Sequence, residues 1–424
     1  MEPTSLAAAI DAGKFKFIPE FGGQGLSYWS ELQRLYAASD GITRSFIDNA
    51  ARALLEESST DEARASGAFE TVLDLQSWLK SLEIGDFPDG FDLNRVVFNM
   101  PLLMLTQCAN YLSFLETNAV THESMVKSSA TAIGHSQGVV SAVLFSAAKT
   151  AQEFQEIAIS AMRYMFWQGL RVQETYQELL VQHKQHEKRV ESASPMLAVR
   201  GLKKEQVLKA IEGAKCRTNS SNLHLSLINA SDMMIVTGFP ETLVQLEQTL
   251  EGLIAKPDAD QTRTPHSQWK PSGSLSFLPL SAPFHTPLLK EAKTKLVKDV
   301  LRVKFEINGS QLHLPVYTTN SDAINMQTVD DVVNELISLQ LLELVDWTVT
   351  LATIAERHSN ATHILEFGPD LGVSKLSSKV AEGLGIEVVV ANCQALGYEA
   401  VNEIRSCYRA AAVCRRSGYL RPRR

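Results

Sequence analysis

The stretch ATAIGHSQGVV, residues 130–140, decides how this chain folds. Ala130 to Gly134 is small and apolar and reads as a short buried strand. His135-Ser136-Gln137-Gly138 reads as a sharp turn, and Val139 to Ala148 as an apolar helix packed close behind it. Strand, turn and helix in that order are the setting in which G-x-S-x-G, here Gly134 to Gly138, exposes a serine nucleophile. The two glycines let the backbone turn with no Cβ in the way. The Ser136 hydroxyl is left at a helix N-terminus, where peptide dipoles and free N–H groups favour developing negative charge. A lone match arises about one time in ten in a chain this long from average residue usage. A serine that merely caps a helix is the plain alternative, and the flanking strand and helix favour the nucleophile.

Working outward, Lys16 to Pro19 reads as a strand that runs into the glycine-rich turn Phe21-Gly22-Gly23-Gln24-Gly25. Helical periodicity marks Tyr28 to Ala37, Phe46 to Glu56, Thr71 to Ser81, Val96 to Phe114 and Ala151 to Leu180, with a charged continuation from Val181 to Val190. Composition then shifts. Strands at Met196–Val199, Leu223–Asn229, Met233–Thr237 and Ser276–Leu280 enclose helices at Lys204–Glu212 and Glu241–Ile254, which is the split ferredoxin-like order. Pro257 to Ser274 reads as a surface loop within that unit. Beyond it come strands within Ser310–Tyr317 and at His363–Phe367 and Ile386–Ala391, with helices at Val329–Leu342 and Thr348–Arg357. Alternating strands and helices predict an α/β fold with a mainly parallel sheet covered on both faces. Residues 1–192 and 282–395 form the core, residues 193–281 an inserted ferredoxin-like subdomain, and residues 396–424 an Arg-rich tail. That tail reads as a solvated end, with contact to an acidic partner as the alternative.

The 424 residues exceed the usual size of one hydrophobic core. A 45% hydrophobic and 21% charged composition is ordinary for a globular protein. The net charge of −8 gives no basic footprint for nucleic acid. Cys108, Cys216, Cys393, Cys407 and Cys414 form no CxxC pair and no metal-ligand spacing, so no metal site is expected. Met1 to Lys16 lacks the pattern of a signal peptide, and no apolar run reaches the roughly 18 residues of a membrane span. A cytoplasmic protein without membrane contact is the expectation.

A serine hydroxyl needs a base to become a nucleophile. Of the ten histidines, His135 lies inside the turn with its ring expected to point away, and His183 and His186 sit on a charged helix. His122, His224, His266, His313 and His358 have no telling context, and His363 begins a strand. His285 differs. Ser281-Ala282-Pro283-Phe284-His285 sets a rigid Pro-aromatic-His turn at a strand's C-terminal end, where α/β active sites form.

Four motifs in fixed order, Phe21–Gly25, Gly134–Gly138, Ser281–His285 and Phe367-Gly368-Pro369, resemble the malonyl/acetyl-transferase fold of fatty-acid and polyketide synthases. Within it the chain is most similar to the acetyltransferase domain of the fungal type I fatty acid synthase β subunit and to fungal polyketide starter-unit transacylase domains. Phe166–Arg171, Leu314–Tyr317 and Thr362–Pro369 add to the likeness, which covers roughly residues 16–395. The resemblance implies that Ser136 takes an acyl group from acyl-coenzyme A and passes it to the phosphopantetheine thiol of an acyl carrier protein, with other synthase domains as partners and no cofactor bound by this chain. It implies His285 as the base, oriented by a backbone carbonyl expected from around Phe367-Gly368-Pro369. It also implies the backbone N–H groups of Gln24 and Gln137 as oxyanion hole.

Malonyl-specific members carry an arginine directly before a glycine on the long helix after the nucleophile; here Gln168 precedes Gly169. A malonyl carboxylate left unpaired would cost on the order of several kcal/mol, so an acetyl or other short to medium uncharged acyl group is expected. Arg171 lies three residues on, and the resemblance implies an arginine there in acetyl-specific members too. Gln168, Asn229 and Phe284 are the candidate pocket residues. The sequence departs from Gly-Pro-Gly-Gly, with Asp370, Leu371 and Gly372 after Pro369. An α/β-hydrolase-type esterase or thioesterase, using Asp232, Asp258 or Asp260 with His285, is one competing reading. A catalytically silent synthase fragment is another.

Overall fold

Phe17, Ile18, Pro19, Glu20 and Phe21 are buried without exception, and a run of that kind fits a strand covered on both faces. The computed structural model describes residues 6–183, 193–218, 222–256, 261–262, 265–369, 372–381 and 386–391. The Arg-rich tail, Asp258 and Asp260, and most of the charged continuation after Val181 lie outside these. Strands in the described residues are β1 (Phe17–Phe21), β2 (Ile133–Gly134), β3 (Met196–Arg200), β4 (His224–Ala230), β5 (Met233–Thr237), β6 (Ser274–Phe277), β7 (Val345–Asp346), β8 (His363–Glu366) and β9 (Glu387–Val390).

One sheet runs β2-β1-β8-β9 with every neighbour parallel. Side chains alternate across it. Phe17, Phe21, Leu365 and Phe367 join the main core, which includes helices Val96–Asn118 and Ala151–Gln182. Ile18, Ile133 and Ile364 join the opposite cluster, with Trp347, Leu351 and Ile354 of helix Trp347–Arg357. Glu20 and Glu366 stand in register on β1 and β8, both fully buried. The Glu366 carboxylate accepts the N–H groups of Val373 and Ser374, which start helix Gly372–Ala381. Burial and the neighbouring Glu366 push the Glu20 carboxyl well above the usual carboxylate range. Glu20 accepts the hydroxyl of Ser377 from the same helix. The pair thus fixes the seat of a helix that borders the site.

The second sheet runs β6-β3-β5-β4-β7. Its first four members are antiparallel neighbours joined through helices Lys204–Thr218 and Pro240–Glu251. Leu197, Val199, Met234 and Val236 pack under those helices with Val207, Ile211, Leu243 and Leu246. Met196, Ala198, Leu227 and Ile235 alternate to the other face and join the main core. β7 comes from far downstream and adds in parallel to β4, with Leu227 opposite Val345 and Ile228 opposite Asp346. The unit between residues 193 and 281 is therefore laced to the last third of the chain.

The expected strand within Ser310–Tyr317 does not form. Val316 makes a single bridge to Ala132, and Tyr317 one to Asn325. Ser146 takes the N–H groups of His313 and Leu314, and Pro315 has no N–H to give, so no ladder can extend there. The helix expected from Thr71 starts at Leu75, where Asp74 accepts the N–H of Ser77 as cap.

The Gly134–Gly138 turn is sterically determined. A Cβ on Gly138 would stand 2.1 Å from the carbonyl oxygen of Phe21, and one on Gly134 2.0 Å from the carbonyl carbon of Gly138. On Gly213, inside helix Lys204–Thr218, a Cβ would meet only the Arg217 guanidinium at 3.5 Å. Gly138→Ala is expected to destabilise by roughly 2 kcal/mol or more, and Gly213→Ala to stabilise by about 0.5–1 kcal/mol. Thermal melts of the two variants check this as shifts of opposite sign.

Candidate active site

β2 delivers Ser136 to the turn before helix Gly138–Ala147, with φ +51° at Ser136 itself. The His135 N–H donates to the Phe21 carbonyl at 2.9 Å and ties the turn to the end of β1. The His135 ring points away from Ser136. Its Nε2 meets Asn229 Oδ1 at 2.8 Å and its edge packs on Trp347.

Ser136 Oγ lies 2.7 Å from His285 Nε2. His285 also has a positive φ, +55°, and its ring is held from behind. Nδ1 lies 2.8 Å from the Leu339 carbonyl oxygen and 3.0 Å from that of Glu343. Only a protonated Nδ1 can bond carbonyl oxygens, so Nε2 carries the lone pair toward Ser136. The two carbonyls come from the C-terminal end of helix Val332–Leu341, the negative end of its dipole. The His285 backbone is fixed as well: its N–H donates to Gln340 and its carbonyl accepts the Ser226 hydroxyl from β4 at 3.0 Å. Burial lowers the pKa of His285 to about 4, with the carbonyl bonds acting in the opposite direction. The ring is therefore a neutral acceptor at pH 7.

The orienting carbonyls are not where the sequence placed them. The Phe367 carbonyl instead accepts from Asn110 Nδ2 at 3.2 Å. No sequence signal marks Leu339 or Glu343, because they act through backbone oxygens that every residue owns. Among the described residues no carboxylate faces His285 Nδ1 either. Asp232 is paired with Lys379, and the Glu343 side chain accepts from Asn320.

The Gln24 and Gln137 side chains are tied to helix Val96–Asn118, through Asn99 Oδ1 at 3.1 Å and the Met100 carbonyl at 2.7 Å. Their backbone N–H groups have no protein acceptor among the described residues. Gln24 lines the same cleft as Ser136, and Gln137 follows Ser136 directly.

That cleft has a volume of about 540 Å³. Met196, Leu227, Asn229 and Ile235 from the inserted sheet form one wall, with Leu280 and Phe284 beside His285. Two of the three expected pocket residues, Asn229 and Phe284, thus line it. Gln168 does not. It is fully buried, takes the Tyr164 hydroxyl one helical turn before it, and donates to Gln340 Oε1 at 2.9 Å. Its polar ends are spent on protein partners. Arg171 likewise turns away, onto Asp299 at 2.7 Å and onto Glu62 and Glu174. Among the described residues no group of three or more metal-ligating side chains forms. No helix among them is long and apolar enough to cross a membrane.

Residues 20–271 match the family described as starter unit:ACP transacylase in aflatoxin biosynthesis. The chain is 29% identical over 402 residues to the fatty acid synthase subunit beta of Saccharomyces cerevisiae, covering 92% of this chain and 19% of that subunit. It is also 29% identical over 392 residues to the fatty acid synthase beta subunit aflB of Emericella nidulans, covering 91% of this chain and 18% of that one. The chain thus spans about a fifth of the length of these curated relatives. Its fold is shared with an acyl carrier protein S-malonyltransferase from Vibrio cholerae, at a TM-score of 0.61 and 19% identity over 89% of this chain and 97% of that one. Since the family match extends over more than half of its length, from β1 to the loop before β6, the chain belongs to the starter unit:ACP transacylase family.

Proposed function

We propose that this chain moves an acetyl or other short to medium uncharged acyl group from coenzyme A to the phosphopantetheine thiol of an acyl carrier protein, priming fatty-acid or polyketide synthesis alongside other synthase domains. The contact of Ser136 Oγ with His285 Nε2 at 2.7 Å carries the reading. Ser136 attacks the thioester carbonyl as its proton passes to Nε2. The C–S bond then breaks, and the coenzyme A sulfur takes that proton. In the second half the carrier thiol gives its proton to Nε2 and attacks the ester, and Ser136 leaves as the hydroxyl. The N–H groups of Gln137 and Gln24 receive the oxyanion in both halves. While His285 holds the proton, the Leu339 and Glu343 carbonyls stabilise its positive charge. A cytoplasmic setting goes with this reading, since donor and carrier both reach the cleft through water.

The preference for an uncharged acyl group rests on where the cations are. Arg171, buried on the long helix, is committed to Asp299. The charged residues that line the cleft, Arg200, Lys375 and Lys379, are exposed, whereas His285 is buried. A malonyl carboxylate seated beside the reacting carbonyl would meet no buried cation among the described residues that line the cleft and would be desolvated unpaired.

Intact-protein mass spectrometry with acetyl-, hexanoyl- and malonyl-coenzyme A is expected to show a stable adduct with the first two, little with malonyl, and none in Ser136→Ala. Release of free coenzyme A without an adduct would make the chain a hydrolase; neither adduct nor release would make it inactive. His285→Ala is expected to slow single-turnover acylation by roughly 10²- to 10⁴-fold. The wild-type rate depends on neutral His285, so it falls as pH drops through the folded pKa of about 4. At pH 5 about nine-tenths of the rate at pH 7 should persist, against about 4% for an unshifted imidazole.

A further inference from the structure

Among the described residues, the cleft that holds Ser136 is lined by three charged side chains, Arg200, Lys375 and Lys379, all basic, and by no Asp or Glu. That is opposite in sign to a chain of net charge −8. Lys375 and Lys379 are four residues apart on helix Gly372–Ala381, on one face, where like charges repel. Lys379 is bridged at 2.5 Å to Asp232, which sits in the turn between β4 and β5. The Asp232 carbonyl in turn accepts the N–H of Gly201, the residue after Arg200. One turn therefore draws Arg200 and the lysine helix to the same rim. The Lys379–Asp232 pair joins the inserted unit to the main sheet's helix, and both side chains are half-exposed. An exposed pair of this kind is weak and readily exchanged for a stronger anion.

Building on the transacylase reading, we propose that Arg200, Lys375 and Lys379 form a phosphate-binding rim for pantetheine-type ligands, with Asp232 as a resident counter-ion that the incoming phosphate displaces. The thiol end then reaches toward Ser136 while the phosphate stays at the solvent edge, where these cations lie. Coenzyme A and the carrier's arm share this chemistry, since both carry a phosphate at the far end of pantetheine.

The test is calorimetric binding of free coenzyme A, 4′-phosphopantetheine and pantetheine to the whole chain. None of these carries an acyl group, so no turnover intervenes. Coenzyme A is expected to bind about tenfold or more tightly than pantetheine, and Lys375→Ala and Lys379→Ala to weaken coenzyme A by about five- to tenfold each. Asp232→Asn is expected to tighten it, because it removes the competitor. If 4′-phosphopantetheine behaves like coenzyme A, the rim reads the phosphate common to donor and carrier; if it behaves like pantetheine, the rim reads the donor's nucleotide phosphates. The proposal is overturned if pantetheine binds as tightly as coenzyme A, or if coenzyme A does not bind. It is also overturned if Asp232→Asn and Lys379→Ala shift affinity in the same direction, as loss of a mere strut would. Rim-dependent binding without any Ser136 adduct from acyl-coenzyme A would sink the transacylase reading and leave the rim standing. Adducts formed with no dependence on phosphate or lysine would do the reverse.

Discussion

The bond from His285 Nδ1–H to the Leu339 carbonyl, 2.8 Å long and doubled by the Glu343 carbonyl at 3.0 Å, is the constraint on which the rest of the site depends. It selects the tautomer whose Nε2 lone pair faces Ser136, and it does so without a second ionised group. A carboxylate in that place would add a negative charge and raise the basicity of the imidazole. Two carbonyls leave burial as the dominant influence, so the ring stays neutral and available over a wide pH range. In the proposed transfer, the helix end that supplies them would favour the imidazolium that forms in passing.

That arrangement exists only because distant parts of the chain close on one another. The segment from Leu339 to Asp346 supplies both carbonyls and then becomes β7, which pairs with β4 of the inserted sheet. β4 returns the favour twice, through Ser226 to the His285 carbonyl and through Asn229 to His135 beside Ser136. The inserted unit is thus more than a wall of the cleft. Its strand is a splint across the two halves of the pair, and local disorder in β4 would loosen both Ser136 and His285. The buried Glu20–Glu366 pair plays the corresponding part on the far side, seating the helix that carries Lys375 and Lys379.

Much of this was legible in the sequence, and the limits have physical reasons. The elbow at Ser136 could be read because glycines at 134 and 138 leave no room for any other residue there. His285 could be singled out because a Pro-aromatic-His turn after a strand is a local pattern. The β-α-β-β-α-β order could be read because it depends on periodicity alone. The carbonyl partners could not, since Leu339 and Glu343 contribute nothing residue-specific. The partners of Gln168 could not be read either, because helical phase says which way a side chain leaves the helix, but not whether Tyr164 and Gln340 occupy its polar ends. β7 escaped notice because two residues carry no periodic signal, and its pairing with β4 bridges more than a hundred residues of sequence.

Nitrogen-15 NMR of the histidine side chains, with His285→Gln to assign the resonance, would examine the central bond most directly. The expected spectrum has His285 protonated at Nδ1 and bare at Nε2, unchanged from pH 8 down to about pH 5. A proton on Nε2, or a ring already doubly protonated near pH 6.5, would contradict the carbonyl-held neutral base and with it the mechanism built on Ser136.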